Sequence, residues 1–120
     1  MSHPRDPLFG PPPVLPDESV ADYDECYRRV HDYFQPKDAI EERLARDYAD
    51  HDWEVSRWRR MKSPMISDVP EMYLDPTLVM LKRTDRINGL IERAEASRNR
   101  SYRDFKKHRR FTEENAKDAP

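Results

Sequence analysis

Glycine is almost missing: Gly10 and Gly89 are the only two in 120 residues. Tight β-hairpin turns need residues that accept positive φ, so this scarcity speaks against an all-β fold. Cysteine is scarcer still. Cys26 stands alone, can form no intramolecular disulfide, and agrees with a reducing compartment. No stretch approaches the roughly 20 apolar residues of a membrane span. Met1 to Gly10 lacks the apolar core of a signal peptide, so a cytoplasmic location without membrane contact is expected. The chain also has no Gly-rich phosphate loop, no Ser nucleophile elbow and no metal-finger spacing of Cys or His. These absences argue against most catalysis, and no cofactor, metal or small-molecule substrate is indicated.

Charge, by contrast, is abundant. Charged residues make up 38% of the chain against 36% hydrophobic, with a mean hydropathy of −1.12. That balance suits a narrow helical seam better than a thick sheet-containing core. At this length one small domain is expected. The net charge of −2 hides a separation of sign along the chain, acidic early and basic late. The expected fold is all-α, an antiparallel three-helix bundle with a long C-terminal helix and a disordered Pro-rich N-terminal arm.

Lys37 to Lys62 runs without Pro or Gly and is the expected central rod, helix 2 over 37–63. Asp38 can cap it, Glu41 and Glu42 lie near its positive end, and Arg57, Arg59, Arg60 and Lys62 near its negative end. Ile40, Leu44, Tyr48, His51, Val55 and Trp58 recur at steps of three and four along one side. Ala45, Ala49 and Trp53 form a second side, which places this helix between two neighbours. Pro64 is its natural end, and a kink with continuation through Met65 and Ile66 is the alternative.

Before the rod, residues 1–17 read as a disordered Pro-rich arm, with six prolines up to Pro16. Pro13 and Pro16 also have the PxxP spacing of a docking peptide. Helix 1 is expected over 19–35, capped by Ser19 with Asp22 three residues on. Its seam is Val20, Tyr23, Tyr27, Val30 and Phe34, and Pro36 ends it at Gln35. The short link to helix 2 predicts an antiparallel hairpin. After the rod, 63–75 reads as a loop with unusually apolar content, and Met65, Ile66, Met72 and Tyr73 are a candidate partner surface.

Helix 3 is expected over 76–111, with Asp75 as cap and Pro76 at the first helical position. Leu78, Leu81, Ile87, Leu90, Ile91, Ala94, Ser101 and Phe105 would face inward. Gly89 costs about 1 kcal/mol relative to Ala and could mark a bend. The last turns either meet Tyr33 and Phe34 through Tyr102 and Phe105 or project freely. Residues 112–120 read as a flexible polar tail.

Three constellations could carry chemistry or binding. Between Arg98 and Arg110 lie seven Lys or Arg residues, Arg98, Arg100, Arg103, Lys106, Lys107, Arg109 and Arg110, against one acid, Asp104. Such a stripe with Tyr102 and Phe105 interleaved could hold nucleic acid. It could equally be a helix C-terminus neutralised by Asp38, Glu41, Glu42 and Asp47 of helix 2. The second basic cluster, Arg57, Arg59, Arg60 and Lys62, would lie at the far end of the bundle. There it could meet the acidic start of helix 1 in another copy, Asp17, Glu18, Asp22, Asp24 and Glu25. Asp47 and His51, one turn apart, read as a buried hydrogen-bonded pair rather than as metal ligands. Carboxylates beside Cys26 would raise its pKa instead of activating it.

The residues Pro36-x-Asp38, Glu41-Glu42, Arg46-Asp47, Trp53-Glu54-Val55-x-Arg57-Trp58-Arg59-Arg60-x-Lys62, Ala94-Glu95-Ala96-x-Arg98-Asn99 and Arg109-Arg110 resemble a family. It consists of small uncharacterised helical proteins common in rhizobia and related alphaproteobacteria. The resemblance runs from about Gly10 to Arg110. It implies a helical, bacterial, cytoplasmic protein and carries over no activity, substrate or catalytic residue; Pro64 departs from the family pattern, whose helix continues there. Together these readings predict a non-enzymatic protein that works by protein–protein contact and self-association into an oligomer. The alternative is a nucleic-acid-associated accessory factor, carried on a mobile element, that uses the basic part of helix 3.

Overall fold

Ser19 sits at the start of the first helix in extended geometry, and its hydroxyl accepts the Asp22 N–H at 3.2 Å. That cap satisfies one of the donors a helix start leaves unpaired. The computed structural model describes residues 10–67 and 76–117. In them α1 spans Val20–Phe34, α2 Ala39–Ser67 and α3 Pro76–Lys117, with no strand among the described residues. The architecture is all-α, and α2 packs against both α1 and α3. At the end of α1, Gln35 turns left-handed at φ 46° and ψ 61°, and its N–H returns to the His31 carbonyl at 2.8 Å. Pro36 excludes the α-helical basin for the residue before it, so the helix stops there.

Asp38 then caps α2. Its carboxylate accepts the Glu41 N–H at 2.8 Å, while Glu41 Oε1 reaches back to the Lys37 N–H at 3.0 Å. The reciprocal pairing has the logic of a capping box.

The main core joins three elements. Tyr23, Cys26, Tyr27, Val30 and Phe34 of α1 meet Ala45, Ala49 and Trp53 of α2 and Phe105 of α3. Small Ala45 and Ala49 let the aromatic seam of α1 approach closely. Tyr23 meets Trp53 edge-on at 5.6 Å, and Phe34 lies 4.6 Å from Phe105 and 5.7 Å from Tyr102. The turns of α3 around Tyr102 and Phe105 therefore close on the α1–α2 corner, while 111–117 extend beyond it and are exposed. On its other flank α2 buries Val55, and α3 buries Ile87 and Ala94, all outside that cluster.

Several expectations change. Helix 2 does not end at residue 63, because α2 continues through Pro64 to Ser67. Pro64 removes the bond to the Arg60 carbonyl, but both residues are exposed, so water can satisfy that carbonyl near the helix end. Helix 3 does not end at 111. Residues 112–117, expected as a flexible tail, continue α3, since Thr112 to Lys117 contain no breaker and Thr112 bonds back to the His108 carbonyl at 3.0 Å. The α3 helix also continues through Gly89.

Val20, Ile40, Leu78 and Leu81, expected inside, are exposed; Ile40 reaches 55%. Ile40 sits in the first turn of α2, and Leu78 and Leu81 lie near the start of an α3 far longer than α2. The arm expected to be disordered over 1–17 is ordered from Gly10 onward; residues 1–9, Asp75 and 118–120 lie outside the described residues.

Candidate interaction surfaces

The arm is held by arginines of α2. Arg46, 1% exposed, donates to the carbonyls of Pro11 at 3.2 Å and Gly10 at 3.5 Å, and through Nε to Asp50 at 2.9 Å. Arg57 donates to the Pro13 carbonyl at 2.6 Å. Pro11, Pro12 and Pro13 carry no N–H, so their carbonyls are their only polar demand; guanidinium groups meet those of Pro11 and Pro13, and the Val14 N–H meets that of Pro12 at 2.8 Å. Val14 packs onto the core cluster from this arm. Tyr23 completes the site by donating its hydroxyl to Asp50, and burial together with that carboxylate pushes its phenol above the ordinary range.

Glu18 is the hub of the same end. Its carboxylate accepts from Arg57 at 2.7 and 3.0 Å, from Arg60 at 3.2 Å and from the Trp53 indole at 3.3 Å. The Leu15 N–H adds a fourth donor group at 2.9 Å. The Arg57 bond leads in holding the Glu18 carboxyl down to about 2. Arg59 pairs with Glu95 of α3 at 2.6 Å. Three of the four cations expected to meet another copy are thus neutralised within their own chain, and Lys62 is half-buried.

At the opposite end, α3 brackets the α1–α2 corner. Arg109 donates to the last carbonyls of α1, Phe34 at 2.8 Å and Gln35 at 2.9 Å, and to Glu41 at 2.8 Å. His108 Nε2 lies 3.0 Å from Asp38 Oδ2, and His31 Nε2 lies 3.3 Å from Glu42. The Glu41 N–H, then His108, hold the Asp38 carboxyl below its usual range. Asp38, Glu41 and His108 each bring a ligand-type atom within 4.8 Å of the others. These residues could hold a divalent cation in principle, but Glu41 already faces the Arg109 guanidinium and the Lys37 N–H, and Asp38 serves as the cap. Their present bonds account for the grouping.

Of the late basic stripe, Arg98 also turns inward, to Asp52 at 2.9 Å. Lys106 lies over the Tyr102 ring at 4.8 Å. Arg100, Arg103, Lys107 and Arg110 are exposed, with no ion pair to a described residue. Arg103, Lys106, Lys107, Arg110, Phe111 and the acid Glu114, with Tyr102 at one edge, border an open groove of about 570 Å³. Of the four acids expected to neutralise the stripe, only Glu41 pairs with one of its seven cations, Arg109. Asp38 faces His108, Glu42 faces His31 and Asp47 faces Arg43, while Asp52 takes Arg98 and the outer side of the stripe is left to solvent.

The expected Asp47–His51 pair does not form; Asp47 accepts from Arg43 at 3.3 Å, one turn earlier instead of later. Cys26 is buried, its thiol 3.8 Å from Asp52, and burial followed by the Asp52 charge pushes its pKa up to about 11. That is the wrong direction for a nucleophile. The backbone of Met65 and Ile66 belongs to α2, while their side chains, and all of Met72 and Tyr73, lie outside what the structure describes. Neither the arm clasp nor the Glu18 hub was legible beforehand, because partners 35 to 44 positions apart leave no local spacing to read. The buried Glu41 had a signal, its place three residues after Asp38. No helix among the described residues is long and apolar enough to cross a membrane. Comparison with known proteins finds no matching family model, no similar curated protein and no similar solved structure.

Proposed function

We propose that this protein is a non-enzymatic helical protein that acts through protein–protein contact and associates with copies of itself. One observation carries this reading: α3, at 42 residues, outruns the 29-residue α2 against which it packs. Leu78 is 48% exposed and Leu81 58% exposed near the start of α3. Exposed apolar side chains at the end of a long helix are what a second helix would bury. Glu18, Arg57 and Arg60, expected to join the acidic α1 start of one copy to the basic α2 end of another, pair within the chain instead.

Light scattering on the purified chain over a concentration series tests the proposal. A dimer or higher oligomer that Leu81→Asp converts to monomer, with helix content unchanged by circular dichroism, supports it. A chain that stays monomeric at several hundred micromolar sinks it.

A further inference from the structure

We propose that the outer face of α3 binds single-stranded nucleic acid, with Arg100, Arg103, Lys107 and Arg110 on its phosphates and Phe111 against its bases. This goes beyond self-association and does not depend on it. The four cations follow steps of three, four and three, which places them within an arc of about 80° and along about 15 Å of the helix. The buried residues Ala94, Ser101 and Phe105 lie on the opposite side of the same helix.

Two ordinary explanations for such a row are removed by the fold. The helix dipole favours cations only in the last turn, yet α3 runs on to Lys117, two turns past Arg110. Pairing within the chain accounts for Arg98 and Arg109, which face Asp52 and Glu41, and for none of these four. Asp104, Glu113 and Glu114 stand on the same helix, and Glu114 borders the same groove, but no ion pair joins them to these four cations, and one extended polyanion would relieve the like-charge repulsion that remains.

An aromatic residue selects the kind of polyanion. Phe111 borders the groove in which Arg103, Lys107 and Arg110 stand and is 61% exposed, whereas the Tyr102 ring is packed toward Phe34 and Tyr48 under Lys106. Ring faces beside a phosphate track can stack on unpaired bases, which a duplex keeps inside its own stack and an acidic protein surface lacks.

Fluorescence anisotropy of the full chain with labelled single-stranded RNA and DNA, a duplex of the same length, and polyglutamate as competitor tests the inference. About four phosphate contacts give a logarithmic salt slope near −3, so affinity should fall about 50-fold between 50 and 200 mM salt. The double substitution Arg103→Glu, Arg110→Glu on this exposed face should abolish binding while circular dichroism stays unchanged. Phe111→Ala should weaken binding at least about five-fold with little change in slope. The inference is overturned if nothing binds at 50 mM salt, if duplex binds as well as single strands, if polyglutamate competes equally, or if charge reversal leaves binding intact. Repeating the titration on Leu81→Asp separates it from self-association: loss of oligomers there should leave the affinity unchanged.

Discussion

Glu18 and Arg57, 39 positions apart in sequence, form a salt bridge of 2.7 Å with about a tenth of each side chain exposed. The pair ties the residue just before α1 to the middle of α2, and the same guanidinium grips the arm at Pro13. Fold integrity and arm order are therefore coupled through one carboxylate.

Acid should loosen that coupling. Folding lowers the Glu18 pKa from 4.5 to about 2, so its contribution is complete above pH 4.5 and fades as the pH falls toward 2. The contribution is up to about 3 kcal/mol. Denaturant melts at pH 6 and pH 3 should show wild type losing more stability than Glu18→Gln; parallel losses in both would contradict the assignment.

Trp53 is 5% exposed, edge-on to Tyr23, bonded to Glu18 and covered by the Arg60 guanidinium at 5.2 Å. Trp53→Ala should cost about 3 to 5 kcal/mol in a urea melt. A loss below about 1 kcal/mol would mean that the indole contributes little to the core.

Gly89 behaves as an ordinary helical position, since a Cβ built there meets nothing within 4 Å. Gly89→Ala should stabilise the chain by about 0.5 to 1 kcal/mol through helix propensity alone. A destabilised variant would reveal a bend or a close neighbour at that point of α3.

Cys26 should react slowly with a thiol reagent at pH 8, because burial and Asp52 raise its pKa to about 11. Reaction should accelerate to the rate of a free thiol only in denaturant. Rapid labelling of the native chain would show that the α1–α2 seam opens readily.

Local chemistry in the sequence determined a good part of this protein. Ser19 and Asp38 as caps, Pro36 as the stop for α1, and the three-and-four spacing of Tyr23, Tyr27, Val30 and Phe34 act within one or two turns, so they are written in adjacent residues. The two-sided character of α2 was legible too, in Ala45, Ala49 and Trp53 against Val55. What the tertiary structure alone decided is which charges are satisfied. Arg57 and Arg110 look alike in sequence, yet one lies under Glu18 and the other faces solvent. Similarly, the arm looked disordered because its own composition cannot form a core; its order comes from Arg46 and Arg57, supplied from α2. Caps and seams depend on neighbours along the chain, whereas ion pairing depends on which helix the fold lays alongside, and no spacing within one helix encodes that.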